Sequence, residues 1–200
     1  MKKQAELIKS LTDRQLILNL YVTQGIILLL AIILSYIFLD GLKSLLDLIQ
    51  WNDLGAYLVG ISAGILIVMI DLVLYKVLPE RFYDDGGINE RIFLNRPPLQ
   101  IFMLATVIGI SEELLFRGVL QNTIGWIWTS LLFALIHFRY LSHWFLTVNI
   151  TLLSFFIGYI YVITNNLIAP IVLHITVDFL LGLFLKIQKR GKEGVSDVSE

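Results

Sequence analysis

Six apolar runs, each close to the length of a membrane crossing, dominate this chain: residues 16–39, 56–78, 99–121, 123–140, 144–165 and 167–187. A helix needs about 20 apolar residues to cross the hydrocarbon core. In lipid no water satisfies the backbone, so each run must form a helix, whose hydrogen bonds are all internal. The predicted fold is all-α: a polytopic membrane helix bundle of about six transmembrane helices. Residues 1–187 form a single integral-membrane domain, and 188–200 form a polar, disordered tail on the cytoplasmic side. Only 16% of residues are charged and 57% are hydrophobic, whereas a soluble domain carries about a quarter charged residues. The first run is too long for a signal-peptide core and lacks a small-residue cleavage site, so it reads as a retained span.

Charge placement sets the orientation. With the N-terminus inside, Lys43 is the only basic residue on an outer loop, Arg117 lies within a span, and every other lysine and arginine falls on the inner side. That asymmetry places both termini inside and requires an even number of spans. Trp51, Trp126, Trp128 and Trp144 all fall at predicted span ends, where an aromatic belt would place them. Longer polar loops cover 40–55 and 79–98. The second holds the turn signal Asp84-Asp85-Gly86-Gly87, an amphipathic piece at 88–94 suited to the interface, and Pro97-Pro98 before the third span. The last four runs follow one another closely, which predicts a compact antiparallel bundle. These features make the chain a multi-pass protein of the cell membrane, with the lipid bilayer as its first partner.

The composition removes several function classes. There are no cysteines, so thiol catalysis, disulfides and cysteine-based zinc sites are excluded. The net charge is −1 with no basic stripe, which gives nucleic acid no footing. With no internal repeat and no pair of broken helices, the chain lacks the marks of a proton-coupled transporter.

Ionisable groups at membrane depth are costly and are functional by default. The third run contains Ser111-Glu112-Glu113-Leu-Leu-Phe-Arg117-Gly118. Glu113 and Arg117 are four apart, on one helical face, with the acid N-terminal to the base. Glu112 is offset by about 100° and escapes that pairing. The spacing predicts that Glu113 and Arg117 build structure while Glu112 faces something else, either a catalytic water or merely a wet crevice. His137 ends the fourth run after Phe133. His174 and Asp178 share a face of the sixth, where the acid can orient the imidazole. Counted from the outer ends at about 1.5 Å per residue, Glu112 lies roughly 13 Å deep, His174 roughly 10 Å, Asp178 roughly 16 Å and His137 roughly 21 Å. Asp71, His143, Asn149, Asn165 and Asn166 read as interfacial or packing groups, with Asn149 a candidate for the cavity wall.

In order along the chain, Glu112-Glu113-x-x-x-Arg117, Phe133-x-x-x-His137 and His174-x-x-x-Asp178 resemble the motif set of the CAAX protease and bacteriocin-processing (CPBP, or Abi) family. That family includes the eukaryotic Ras-converting CAAX prenyl endopeptidase. The segment Asn165-Asn166-Leu-Ile-Ala-Pro170 before His174 resembles it too. The likeness covers a peptidase core of about 99–185, and the first two spans match only in being hydrophobic. Asp178 departs from the Asn of the better-known eukaryotic members. The resemblance implies an intramembrane endopeptidase acting on membrane-associated peptide or protein substrates. Glu112 and His137 would then activate water, His174 and Asp178 would stabilise the oxyanion or polarise the site, and Glu113 with Arg117 would support the glutamate helix.

The resemblance leaves the cofactor open. Zn²⁺ held by Glu112, His137, His174 and Asp178 would give a metal-activated water. The zincin His-Glu-x-x-His motif is absent, and a metal-free glutamate–histidine site is compatible with the same residues; the reading inclines to no tightly held metal. A non-catalytic bacteriocin self-immunity or membrane scaffold protein of the same family is the alternative function.

Overall fold

A computed structural model describes residues 11–83, 86–94, 96–137, 140 and 143–196. Every regular element among them is helical: α1 (Asp13–Phe38), α2 (Leu42–Asp47), α3 (Leu54–Val77), α4 (Ile88–Phe93), α5 (Pro98–Glu113), a π-helical segment (Leu114–Leu120), α6 (Gln121–Ile124), α7 (Trp126–Ile136), α8 (Trp144–Thr164) and α9 (Ile168–Ser196). Five helices are long and apolar enough to cross a membrane: α1, α3, the continuous run from Pro98 to Ile124, α8 and the first part of α9.

The fourth predicted span takes another form. Helix α7 has 11 residues, about 16 Å of rise, which is half a bilayer. Its first residue, Trp126, packs against Gly158 near the far end of α8 and donates its indole N–H to Phe155 O at 2.9 Å. Beyond its last turn Tyr140 meets Asn89 of α4 (3.2 Å), and Trp144 meets Phe82 at the opposite end of the bundle. The two ends of this stretch therefore lie at opposite ends of the bundle, and the short helix covers only part of the distance between them. Trp126 is correspondingly drawn into the protein, while Trp51, Trp128 and Trp144 are exposed as a belt requires. The last helix continues through Gln188 to Ser196, where the polar composition predicts a tail without regular structure; 197–200 lie outside the described residues. So do Lys2, Lys3, Lys9, Asp84, Asp85 and Arg139.

Local chemistry sets the helix ends. Thr12 and Gln15 form a capping box on α1. Asp53 accepts the Ala56 N–H at 3.1 Å and starts α3. Pro97 and Pro98 open α5, where a missing N–H costs nothing. Asn165 ends α8 in the left-handed region at φ 46°. The next residue, Asn166, is fully buried and ties three segments together. Its side chain accepts from Gln50 N and Ile168 N, both at 3.0 Å, and donates to Gln50 O at 3.1 Å and Asp53 Oδ2 at 3.2 Å.

Small residues set how closely the helices approach, because apolar surface alone drives little association in lipid. A Cβ on Gly60 would lie 2.6 Å from Ala169 O, and one on Gly64 would lie 2.7 Å from Thr176 Cβ, so α3 lies directly on α9. Gly109 of α5 meets Ile175 on another side of α9 in the same way. Helix α9 is thus clamped between α3 and α5. In the 40–55 loop α2 buries Leu45 against Gly118. In the 79–98 loop α4 buries Ile88, Ile92 and Phe93 against α1, α5 and Gly182, as its amphipathic pattern predicts. Arg91 of α4 forms an ion pair with Asp13 at 3.1 Å.

Candidate active site

Helix α5 carries Ser111, Glu112 and Glu113 on its last turn, immediately before the π-helical segment. In that segment the turn widens by one residue, and the Gln121 N–H bonds to Phe116 O, five residues back. Asn122 serves the loosened carbonyls, its Nδ2 lying 3.0 Å from Arg117 O and 2.8 Å from Gly118 O. The widened turn lets Arg117 reach sideways to α8, where Nη2 donates to Ser154 O (3.0 Å) and Ser154 Oγ (3.1 Å).

Arg117 and Glu113 are both fully buried, with Arg117 Nε 3.2 Å from Glu113 Oε2, the pairing their spacing predicts. Glu113 does more than pair with arginine. Its other oxygen lies 2.7 Å from His174 Nδ1 on α9. One carboxylate therefore links the arginine, and through it α8, to the imidazole of α9. Phe133 of α7 fills the space between them. The Arg117 guanidinium stacks over its ring at 4.7 Å, Phe116 meets it edge-on at 4.9 Å, and the His174 ring lies 6.3 Å away.

His137 caps the C-terminus of α7, with Nδ1 2.8 Å from Phe133 O. A carbonyl can only accept, so Nδ1 carries the proton, and in the neutral ring Nε2 keeps its lone pair. The ring sits beside Phe133 at 4.6 Å and parallel to Tyr140 at 6.2 Å. His174 Nε2 lies 3.7 Å from Asp178 Oδ2 one turn on. That distance allows charge attraction but is too long for a hydrogen bond.

A cavity of about 500 Å³ has Glu112, His137, His174 and Asp178 in its wall, together with Gln24, Phe133 and Asn149. It extends to the end of the bundle that carries Arg91 and Lys186, where Tyr75, Tyr83 and Asn89 line it. The four groups assigned different depths by residue counting therefore line one cavity. Asp71, which reads from sequence as an incidental polar group, also lines this cavity and accepts from Asn149 Nδ2 at 3.4 Å.

Glu112 has a partner that the motifs do not reveal. Its Oε1 accepts from Gln24 Nε2 of α1 at 3.0 Å, and Gln24 Oε1 lies 2.6 Å from Ser111 Oγ. Gln24 is 7% exposed, on the narrow buried stripe (Leu16, Gln24, Ala31, Ser35) of a helix that otherwise faces outward. The available signal was a glutamine in the middle of an apolar run.

The donors can be tested against a zinc ion held by Glu112, His137, His174 and Asp178 together. Glu113 occupies Nδ1 of His174, and Nε2 faces Asp178. Among the described residues no three His, Asp or Glu side chains converge with metal-ligand spacing. As arranged, this donor set does not fit that ion.

The family model for "Type II CAAX prenyl endopeptidase Rce1-like" matches residues 94–180, the stretch that holds all three motifs. The uncharacterized protein YpbD of Bacillus subtilis (strain 168) is 40% identical over 157 residues, covering 78% of this chain and 82% of its own. The UPF0177 protein YxdF of Lactococcus lactis subsp. lactis (strain IL1403) is 29% identical over 123 residues, covering 58% of this chain and 67% of its own. No solved structure matches.

Proposed function

Because the chain belongs to the CPBP family of Rce1-like membrane proteins, we propose that it is an intramembrane endopeptidase that hydrolyses peptide bonds of membrane-associated substrates in the cell membrane. One observation carries the reading: a carboxylate (Glu112) and an imidazole lone pair (His137 Nε2) from separate helices open on the cavity that also holds His174.

The chemistry follows from the free atoms. Glu112 Oε1 is held by Gln24, and among the described residues no protein group bonds Oε2. A water in the cavity donates one hydrogen to Glu112 Oε2 and the other to His137 Nε2, which aims its oxygen lone pair at a substrate carbonyl. As the C–O bond forms, the proton passes to Glu112 and the carbonyl oxygen takes the negative charge. His174, flanked by Glu113 and Asp178, holds Nδ1 toward Glu113 and, in its doubly protonated form, turns Nε2–H to that oxyanion. Collapse of the tetrahedral intermediate breaks the C–N bond, and Glu112 returns its proton to the leaving amine. Arg117, Glu113 and Phe133 touch no reacting atom; they hold together the helices whose side chains do.

The test is cleavage by purified protein in lipid nanodiscs, offered a membrane-peptide library that includes prenylated C-terminal peptides. The expected result is cleavage that falls at least about 100-fold in Glu112→Gln and is unchanged by a chelator. Chelator-sensitive cleavage restored by Zn²⁺ would overturn the metal-free water site. Absence of cleavage by folded wild-type protein would overturn the protease reading in favour of a non-catalytic family member.

A further inference from the structure

The motifs place all the chemistry in the later spans and leave α1 without a role. Yet α1 delivers one polar side chain to the cavity, and it touches the proposed base. The amide of Gln24 has two ends with opposite chemistry, and its surroundings decide which faces which. A carboxylate only accepts, so the end against Glu112 is Nε2; Oε1 then faces Ser111, whose hydroxyl must donate to it. The same hydroxyl also lies 2.7 Å from Val107 O and 3.1 Å from Ile108 O, and Gln24 Oε1, at 2.6 Å, is the shortest of its three acceptor contacts. Ser111, Gln24 and Glu112 form a directed chain: hydroxyl to amide oxygen, amide N–H to carboxylate.

Resting on the endopeptidase reading above, we propose that Gln24 is a positioning residue. It fixes the plane of the Glu112 carboxylate by bonding Oε1, so that Oε2 alone meets the attacking water. A carboxylate turns freely about its last torsion unless something holds it. Glu113, the adjacent acid, is held from both sides by Arg117 and His174, whereas Glu112 is held by Gln24 alone among the described residues. The first span is thereby part of the active-site apparatus.

Gln24→Met keeps nearly the same volume and removes the donor. A hydrogen bond to a charged group is worth enough that kcat should fall roughly 10- to 100-fold. KM should stay within about twofold, because the contact acts on the reacting group and not on the substrate. Ser111→Ala frees the amide to turn and should lower kcat in the same direction but less. The double variant should be no slower than Gln24→Met, since the hydroxyl acts only through the amide. A residue that merely packs α1 would instead reduce the melting temperature and the folded fraction while leaving kcat per folded molecule unchanged. That outcome, or full additivity of the two variants, overturns the proposal. Should Gln24→Met fail to fold, Gln24→Asn, which retains polarity but draws the amide back by one methylene, carries the same outcomes. A readout without turnover separates this inference from the protease reading: the ¹³C-glutamate infrared band lost in Glu112→Gln should shift in Gln24→Met. If wild type cleaves nothing but the band shifts, the protease reading fails and the contact stands. If wild type cleaves and neither kcat nor the band responds, the inference about Gln24 fails alone.

Discussion

Glu113 and His174, 61 residues apart in sequence, meet at 2.7 Å in the interior of the bundle, and that contact joins the glutamate helix to the histidine helix. Glu113 already faces a fully buried arginine, so removing its carboxylate leaves Arg117 without its counter-charge. Breaking a buried pair from one side typically costs about 3–5 kcal/mol. Glu113→Ala should therefore lower stability by several kcal/mol, measured by unfolding in mixed detergent. Glu113→Ala with Arg117→Met should be less damaging than the sum of the single changes, because the orphaned charge is gone. Strict additivity would show that the two side chains are not coupled.

The approach of α3 to α9 depends on bare backbone at Gly64. A methyl there would sit 2.7 Å from Thr176 Cβ and 3.0 Å from Leu173 O. Gly64→Ala should cost about 1–3 kcal/mol through overpacking. It should also lower cleavage activity, since Leu173 and Thr176 bracket His174. Gly25, on the outward face of α1, has nothing within 4 Å of its would-be Cβ; Gly25→Ala should be neutral or stabilise by up to about 1 kcal/mol. Equal effects at the two positions would refute the close-packing role of Gly64.

Much of this was legible in the sequence, because lipid imposes few options. Length and hydropathy reveal the long helices, and the Glu113–Arg117 and His174–Asp178 spacings report contacts within one turn. The missing parts are contacts between helices, which no local period encodes. Glu113 reaching His174, Gln24 reaching Glu112, and Phe133 packing against both Arg117 and His174 each join residues from separate elements. The π-helical segment escaped because its sequence, Leu114–Leu120, contains nothing that an ordinary helix would refuse. The shortness of α7 escaped for a similar reason: an apolar run shows where lipid-compatible residues are, not where the helix within them stops.

Asn122 is the side chain that makes the π-helical segment tolerable. Its Nδ2 bridges Arg117 O, Gly118 O and, at 3.0 Å, Tyr161 Oη on α8. Asn122→Leu keeps the size and removes the donor from those acceptors, at an expected cost of about 0.5–1.5 kcal/mol. The measurement is detergent unfolding, with Asn122→Asp as a companion that keeps the size but not the donors. Wild-type stability in Asn122→Leu would mean that the widened turn needs no outside support.

Outside the bilayer, Asp53 gives the fold a dependence on acid. The Ala56 N–H first, and then the Asn166 amide, hold its carboxyl below the ordinary value of 3.8. A carboxylate depressed in the folded state stabilises it fully above the unfolded value, and that stability is lost as pH falls through the folded value. Comparing unfolding of wild type with Asp53→Asn should give a difference that is constant above about pH 5 and shrinks below about pH 4. Asn166→Ala removes one of the three groups that depress Asp53, so the acid-dependent step should become smaller and move toward pH 3.8. A difference that stays flat down to pH 3 would show that the charge on Asp53 contributes nothing to holding the 40–55 loop against Asn166.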